Sequence, residues 1–526
     1  MRITNNIILH NTSININGNK GNVDTLNNQM TSQKKIQRPS DDPVTAIRAL
    51  RLRSTLSEID QYYEKNIPDA ESWLDVTETA ITSMQEVIKT IRTQCEYGAQ
   101  DSLTTDNRKT ILTQLEKLRD KLYSEGNADY AGRTVFTGYR TNKKLTFTED
   151  EQKTSYEIDQ KMSYADLQEH RYYGNDVTVP GNQADVLDGT KIASPTQAAY
   201  NRIRLGYDSI DSLDVTDAAG TTTKTSANGS TVTISYNYTD TTGTTPVNKT
   251  GNMNVTVYDS YDKWLEASTK TPKSYDIADG EAVLIRNTGE MVFSKTAADT
   301  LSTNKASLDI SYTKTGFTNG ELRPEYYYNC TNIKLKYEKY DKDGNQIYQD
   351  IDYVVAANQT LTVNTEASNV FDHGLSRDVD ELIDAVQRSL DAEQKVTDLN
   401  AMKKMQEYSS DDCQAKLEEW IAAAEKERDY ANDNMQKLYN SYIGNCDTYL
   451  NKVNLALTDV GSKGQSLALT KNRMSNEQET MEELKSKNED RELSDIILEY
   501  TAAYTAYQSS LQAASKVNQV TLLSYL

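Results

Sequence analysis

Few side chains in this 526-residue sequence could carry out chemistry. It has only three histidines, His10, His170 and His373, and none forms the pair four residues apart that a zinc protease helix needs. No Gly-x-Ser-x-Gly motif is present for a serine hydrolase. Acidic runs such as Glu149-Asp150-Glu151 are typical of solvated surface. The sequence therefore predicts neither an enzyme nor a cofactor.

One acidic segment has the composition of a calcium loop. Asp341, Asp343 and Asn345 are closely spaced oxygen ligands of the kind that Ca²⁺ prefers. However, the glycine of this run stands at its fourth position rather than its sixth, and Asp352 takes the place of the terminal glutamate. The spacing favours a hairpin turn and leaves calcium as the alternative.

Charge and cysteine spacing exclude further classes. With 57 Lys and Arg against 78 Asp and Glu, the net charge is −21, and the clustered cations that nucleic-acid binding needs are missing. The four cysteines, Cys95, Cys330, Cys413 and Cys446, form no CxxC pair, so no metal site or disulfide framework is predicted. No run is apolar enough for a membrane span or a cleaved secretory signal, so we expect no membrane insertion.

Helical periodicity dominates residues 41–132, the predicted N-terminal helical stalk. We expect Asp42 to cap a helix that starts at Pro43, and Pro68 to kink or restart it. A second helix should start near Thr105 and end at Gly126. Apolar residues follow one another at alternating intervals of three and four, as in a coiled coil: Ile67, Ala70, Leu74, Thr77, Ile81, Met84, Ile88, Ile91 and Cys95.

The period changes to two in residues 133–375, which we predict to be a β-rich outer insert of one or two domains. Thr231–Tyr236 and Asn254–Tyr258 alternate like strands, and Asn287–Glu290 forms a turn. We expect exposed loops over 215–250 and a helix over 195–212. The tyrosines at 326–328, 337 and 340 could form a glycan-binding face, but cross-strand packing is the favoured interpretation.

Helical spacing returns in residues 376–490, a C-terminal helical stalk, and in residues 491–526, an assembly helix. The charged run from Lys485 to Arg491 predicts a loop between them. The stalk seam contains Val453, Leu457, Val460, Leu467, Met474 and Met481, and the assembly seam contains Leu493, Ile497, Tyr500, Tyr504, Tyr507, Leu511 and Ala514.

An apolar helical stripe is stable in water mainly when another element covers it. The stripes at the two ends of the chain are therefore expected to pack on each other. The predicted fold is α+β, with terminal helices forming an antiparallel coiled-coil bundle around an inserted β-rich middle region. The asparagine-rich arm, residues 1–40, is expected to be weakly ordered in the free chain because asparagine is a poor helix former.

Short motifs near both ends resemble those of flagellin-like axial proteins. They are Met1-Arg2-Ile3-Thr4, then Thr31 to Pro43 with the assembly motif Arg38-Pro39-Ser40-Asp41-Asp42-Pro43, then Ala70 to Leu74, Tyr130 to Gly138, Ala506 to Val517 and Leu522 to Leu526. Flagellins usually have an Ala-Asp-Asp-Ala-Ala-Gly-like run where this chain has Ser40 to Ala46, which favours the hook–filament junction subunits of that family. One departure is Gln33, where relatives commonly have glycine.

The resemblance implies a structural subunit of the bacterial flagellum, an adaptor at the hook–filament junction. Its implied partners are identical subunits in a ring, hook-associated protein 1, flagellin and a flagellar export chaperone. It also implies an extracellular location, reached through the flagellar type III channel without a cleaved signal peptide. Two alternatives stay open: a filament flagellin, or a surface adhesin whose binding region is the β-rich middle.

Overall fold

The computed structural model describes residues 5–100, 103–217, 220–240, 246–271, 273–333 and 335–519. The predicted motifs Met1–Thr4 and Leu522–Leu526 lie outside these described residues. The chain divides into two units. The terminal unit comprises residues 1–71, 352–361 and 463–526, and the central unit comprises residues 72–351 and 362–462.

Long helices form both ends of the chain and confirm the α+β prediction. The long helices are α1 (Asn5–Ser32), α2 (Pro43–Asp60), α3 (Ile67–Gly98) and α4 (Thr105–Lys121) in the first part of the chain, and α8 (His373–Lys403), α9 (Asp411–Glu489) and α10 (Leu493–Gln519) in the last part. Three short helices lie between them: α5 (Gln183–Leu187), α6 (Tyr261–Glu266) and α7 (Lys295–Thr303). None of the helices in the described ranges is long and apolar enough to cross a membrane.

Three local sequence signals act as predicted. The Asp42 carboxylate accepts hydrogen bonds from the backbone N–H groups of Val44 and Thr45, and Pro43 opens α2. A π-helix over Gln61–Asn66 lies just before Pro68, where the missing proline N–H interrupts regular helical bonding.

The loop predicted from Lys485 is wrong in extent, since α9 continues to Glu489 and only residues 490–492 separate it from α10.

Strands occupy the middle of the chain. They are β1 (Asp129–Tyr130), β2 (Arg133–Thr134), β3 (Ser155–Ser163), β4 (Gln168–Gly174), β5 (Thr196–Arg204), β6 (Ser212–Thr216), β7 (Thr222–Thr225), β8 (Ser230–Asp240), β9 (Val247–Tyr258), β10 (Ala282–Ile285), β11 (Glu290–Phe293), β12 (Ser307–Thr315), β13 (Asn329–Asn332), β14 (Leu335–Tyr337), β15 (Asp352–Ala356) and β16 (Gln359–Thr362). The main sheet, in the central unit, runs β14-β13-β3-β12-β8-β9-β10-β11-β5-β4, with β6 paired to β12 and β7 to β6.

The strand predictions at 231–236 and 254–258 and the turn at 287–290 are confirmed. The helix predicted over 195–212 is wrong, because this segment forms β5 and the approach to β6. In β5 the adjacent residues Arg202 and Ile203 are both buried, one on each face of the strand, so the segment shows no alternation of apolar and polar residues. The loops predicted over 215–250 are also largely wrong, since β8 and β9 form a long antiparallel hairpin there.

The two ends of the chain pair with each other, as predicted. In the terminal unit, Asn488 of α9 donates a hydrogen bond to the Thr45 carbonyl of α2, and Lys471 forms an ion pair with Glu71. The nine residues of the N-terminal seam from Ile67 to Cys95 are all buried. In the C-terminal stalk seam, Val453, Val460, Leu467 and Met474 are buried and Leu457 and Met481 are half-buried.

In the central unit, α3, α4, α8 and α9 pack beside one another. Arg92 of α3 binds Asp447 of α9, with 2.7 Å between Nε and Oδ1. Arg108 of α4 donates to Ser389 of α8 and to Asn432 of α9, at 2.8 and 2.9 Å. The predicted second helix starts where expected, but α4 ends at Lys121 and a single 3₁₀ turn continues to Asn127.

A buried network of charged groups joins the main sheet to α8 and α9 within the central unit. The Arg202 guanidinium on β5 binds Glu290 of β11 at 2.7 Å and Glu381 of α8 at 2.6 Å. His170 on β4 lies 3.3 Å from Glu381. Burial alone would raise the pKa of Glu381, but the guanidinium groups of Arg202 and Arg204 outweigh burial and lower it. These groups therefore fix the helices on the sheet as an ion-paired layer.

We expect acid to destabilise the central unit through His170. Burial, followed by Arg202, lowers the pKa of His170 to about 3, whereas an unfolded histidine titrates near 6.5. The unfolded chain therefore takes up a proton between these values that the folded chain does not. The neutral imidazole makes its full contribution to the free energy of unfolding above about pH 6.5, and this contribution is lost as the pH falls toward about 3. Going from about pH 7.5 to about pH 5, His170 alone should account for about 2 kcal/mol of the unfolding free energy lost in urea unfolding, and His373, whose pKa burial also lowers to about 3, should add a similar loss.

His170→Gln isolates this contribution, because glutamine cannot take up the proton. The variant should show a correspondingly smaller loss of unfolding free energy over the same pH interval. His10→Gln on the exposed surface of α1 is the matched control and should keep the wild-type pH dependence. Identical pH profiles for His170→Gln and the wild type would contradict the prediction.

Candidate assembly surface

Helices from opposite ends of the chain, α1 and α10, lie side by side in the terminal unit. The Asn19 amide donates a hydrogen bond to Ser510 Oγ at 3.3 Å, and Arg491 donates to the Gln29 side chain at 2.7 Å. Ile496 is buried, whereas the other contacts along α10 are made by half-covered residues at heptad spacing: Tyr500, Ala503, Tyr507, Ser510 and Ala514. Small residues in this series allow α1 to approach closely.

A second stripe of α10 is left open to solvent. Leu493, Ile497, Tyr504 and Leu511 also follow heptad spacing but are 43–47% exposed. The predicted assembly seam thus divides between two faces. Tyr500 and Tyr507 are half-covered on the side of α1, while Ile497, Tyr504 and Leu511 belong to the open stripe. The predicted seam residues of α3, Ile81, Met84, Ile88 and Ile91, are buried instead.

Exposed apolar side chains recur on the other helices of the terminal unit. They include Ile7, Ile8, Leu9 and Ile14 on α1, Val44, Ile47 and Leu50 on α2, and Leu469 and Leu484 on α9, and Leu498 is a further exposed residue of α10. Single exposed apolar residues are ordinary, but a series of them along neighbouring helices is typical of an interaction surface.

The charge of the chain is distributed unevenly between the units. The terminal unit has 16 basic and 18 acidic residues, so nearly all of the net charge of −21 belongs to the central unit. No charged residue occurs between Tyr500 and Ser515 on α10. Copies of a nearly neutral unit can pack together without strong mutual repulsion. Copies of a unit that carries most of a −21 charge would repel one another.

The linker from α1 to α2 crosses the linker from α9 to α10 and binds it through backbone groups. Lys35 N–H donates to the Glu489 carbonyl at 2.7 Å, and Arg491 N–H donates to the Gln33 carbonyl at 3.0 Å. Lys34 forms an ion pair with Asp490, and its hydrogen bond lowers the pKa of that carboxyl. We call this arrangement the linker crossing.

A bidentate ion pair supports the linker crossing from α2. Arg53 Nε and Nη2 each donate to the Glu489 carboxylate at 2.7 Å, and this carboxylate is almost fully buried. The hydrogen bonds from Arg53 lower the pKa of Glu489. Bidentate pairing fixes orientation as well as position, so the end of α9 is held on α2 in one geometry.

The assembly motif predicted at residues 38–43 forms the turn that leads into α2. Asp41 Oδ2 accepts hydrogen bonds from the backbone N–H groups of Gln37 and Arg38, at 3.2 and 2.9 Å. Asp42 then caps the helix, and its bond from the Thr45 hydroxyl lowers its pKa. Arg38, Pro39 and Ser40 are exposed, so the motif both shapes the turn and presents free side chains.

Gln33 adopts a left-handed backbone conformation, with φ of +56°, at the linker crossing. This conformation is unfavourable for a residue with a Cβ and costs glycine nothing. We therefore expect Gln33→Gly to stabilise the linker crossing by about 0.5–1 kcal/mol. Amide exchange at Lys35 and Arg491 should become about two- to fivefold slower.

Thr31→Gly is the control for this substitution, because Thr31 lies two residues upstream in the last turn of α1. There glycine loses helix propensity and relieves no strain, so exchange at the same amides should be faster or unchanged. Slower exchange in Thr31→Gly, or faster exchange in Gln33→Gly, would contradict the prediction.

A shallow groove lies between α2 and the end of α9 in the terminal unit. Arg48, Arg51, Leu52, Leu484 and Asn488 line it, and its volume is about 360 Å³. Within the described part of the chain, neither Arg48 nor Arg51 forms an ion pair. The groove therefore combines apolar floor and free positive charge on the same helix that carries Val44 and Ile47.

Other residues singled out in the sequence have structural roles. Asp341 accepts hydrogen bonds from the backbone of Asp343 and Asn345, and Gly344 has a φ of +87°, so the segment forms the predicted turn. No group of three metal-ligating side chains is found in the described ranges. Tyr326 and Tyr327 are buried in the central unit and Tyr328 is half-buried. These three residues lie in a 3₁₀ turn and the bend before β13 rather than in paired strands, so the cross-strand packing predicted for them is wrong, although two of them do pack inside the unit.

The N-terminal part of the chain matches a known class of proteins. Residues 3–141 match the model of the bacterial flagellin N-terminal helical region. This segment contains α1 to α4 together with the linker and the assembly motif. The resemblance to flagellin-like axial proteins that the motifs predicted is therefore confirmed over this part of the chain.

More particular relatives are flagellar hook-associated proteins 3. The chain is 30% identical over 117 residues to that protein of Salmonella typhimurium, which is 22% of this chain and 37% of the relative. It is 32% identical over 132 residues to the protein of Escherichia coli, and this match covers 24% of this chain and 39% of the relative. Each match thus spans less than two fifths of the relative. A solved hook-associated protein 3 from Legionella pneumophila aligns over 83% of this chain and 97% of its own, at 11% identity and a TM-score of 0.30.

Proposed function

We propose that this chain is a structural subunit of the bacterial flagellum that acts as an adaptor at the hook–filament junction. The observation that carries the proposal is the open apolar stripe of Leu493, Ile497, Tyr504 and Leu511 on a helix that pairs with the opposite end of the chain. Identical copies would cover this stripe in a ring. The similarity to hook-associated protein 3 over about a quarter of the chain supports the junction as its place.

The mechanism is assembly by burial of the terminal unit. A free subunit leaves its apolar stripes in water, and contact between copies removes them, with roughly 25 cal/mol gained for each Å² of apolar surface covered. The near neutrality of the terminal unit supports close packing of copies. In the arm, residues 1–40, the described residues 5–32 form α1 and residues 33–40 form the linker and the start of the turn into α2, and the weak order of the arm in the free chain stays a prediction for amide exchange.

The partners that follow from this proposal are hook-associated protein 1 on one side of the ring and flagellin on the other. An export chaperone would guard the apolar stripes before assembly. The subunit would work outside the cell after export through the flagellar channel, and it would have no catalytic role.

Immunogold labelling of intact flagella with an antibody to the central unit tests the proposal directly. Label confined to the hook–filament boundary is the expected result. Label along the whole filament would identify the chain as a filament flagellin, for which the match to the flagellin N-terminal region is the supporting observation. Label on the cell surface away from flagella would favour the adhesin and would overturn the proposal.

A further inference from the structure

Two cysteines that are far apart in the sequence occupy the same layer of the α3–α9 helix pair. Arg92 of α3 binds Asp447 of α9, and Gly98 of α3 lies against the Tyr439 ring of α9. The helices therefore run antiparallel, and the contacts on either side place position 95 opposite the turn that contains position 446.

Both thiols lie inside this helix pair and face each other. Cys95 is 0% exposed and Cys446 is 2% exposed, and the neighbouring Cys446 thiol raises the pKa of Cys95. Both cysteines are reduced in the structure. The other two, Cys330 and Cys413, belong to different packing clusters, one around the main sheet and one between α8 and α9.

We propose that Cys95 and Cys446 form a disulfide that locks α3 to α9 when the protein meets a peroxide. One thiolate attacks the peroxide O–O bond and becomes a sulfenic acid while hydroxide leaves. The second thiol attacks the sulfenic sulfur, the S–S bond forms and water leaves. Two thiols are oxidised and one hydrogen peroxide is reduced to two waters, so atoms and electrons balance. The inference does not depend on the proposed function.

Burial determines when this reaction occurs. Both the neighbouring Cys446 thiol and burial raise the pKa of Cys95, so little thiolate is present and oxidation of the folded chain should be slow. Once formed, the bond closes a loop of several hundred residues, and long loops give the largest restriction of the unfolded chain. The disulfide is thus a slow, stabilising modification suited to a protein with a long working life.

The test treats the purified full chain with hydrogen peroxide, both folded and during refolding from urea, and maps the products by mass spectrometry without reduction. The expected product is a peptide pair containing Cys95 and Cys446 that has lost two hydrogen atoms. The thermal midpoint should rise by about 3 °C or more, and reduction should reverse the rise.

Single-cysteine variants complete the test. Cys95→Ala and Cys446→Ala should lose both the linked peptide and the thermal shift, while Cys330→Ala and Cys413→Ala should keep both. Circular dichroism shows whether each variant is folded. The proposal is overturned if the linked pair is absent after both treatments, if the thiols become sulfinic acids instead, or if a different pair is linked.

Discussion

Leu511→Asp should abolish assembly while leaving the monomer folded. Leu511 is 43% exposed on the open stripe of α10, so the substitution removes little packing from the free chain, and its unfolding free energy should change by less than about 0.5 kcal/mol. In a ring, the same position would be covered by a neighbouring copy, and each copy would then bury an unpaired carboxylate. We expect the fraction of flagella labelled at the hook–filament boundary to fall at least about tenfold.

Ser509→Asp is the matched control, since it adds the same charge two residues away and about half a turn around the helix. Ser509 is exposed and lies outside the open stripe, so labelling should stay near the wild-type level. Equal loss in both variants would show that the whole surface of α10 tolerates no charge. Normal labelling in Leu511→Asp would contradict the assigned stripe.

The largest expected loss of stability follows from Arg202→Met in the central unit. Arg202 is 2% exposed and pairs with both Glu290 and Glu381, so its removal leaves two buried carboxylates without their shared cation. Breaking a buried pair in this way typically costs about 3–5 kcal/mol. Urea unfolding followed by circular dichroism should therefore show a large drop in the midpoint for the central unit.

Arg171→Met is the matched control on β4, the strand next to β5 in the sheet. Arg171 forms a solvent-exposed ion pair with Asp433 at 3.0 Å, and surface pairs of this kind contribute less than about 1 kcal/mol. Similar losses in the two variants would mean that the buried network is no more important than a surface salt bridge.

Those parts of the structure that a single physical rule controls could be predicted from the sequence. The seam of α3 was predictable residue by residue, because a helix buried along one side must repeat its apolar positions every three or four residues. The cap at Asp42 followed from the chemistry of the first helical turn. The pairing of the chain ends was predictable because the apolar stripe of each terminal helix is stable in water mainly when another element packs on it.

The failures have physical reasons as well. Hydrophobic spacing alone cannot tell which of two adjacent stripes on α10 is covered, because small residues such as Ala503 and Ser510 make the contact with α1 while Leu511 stays exposed. In β5, Arg202 can be buried because its ion-pair partners come from segments far away in sequence. The local sequence does not show these partners, so it did not predict a strand there. The pairing of Cys95 with Cys446 depends in the same way on the register of two distant helices.

The linker crossing has a mechanical consequence. Because Lys35 and Arg491 bind the opposite linker through backbone hydrogen bonds, the two chain segments cannot slide past each other without breaking both bonds together. A torque applied to the α1–α10 pair is therefore transmitted to α2 and α9 through two hydrogen-bonded segments of chain rather than one. Such a doubled connection resists twisting and bending as a single segment cannot, which is the property that the proposed adaptor role requires.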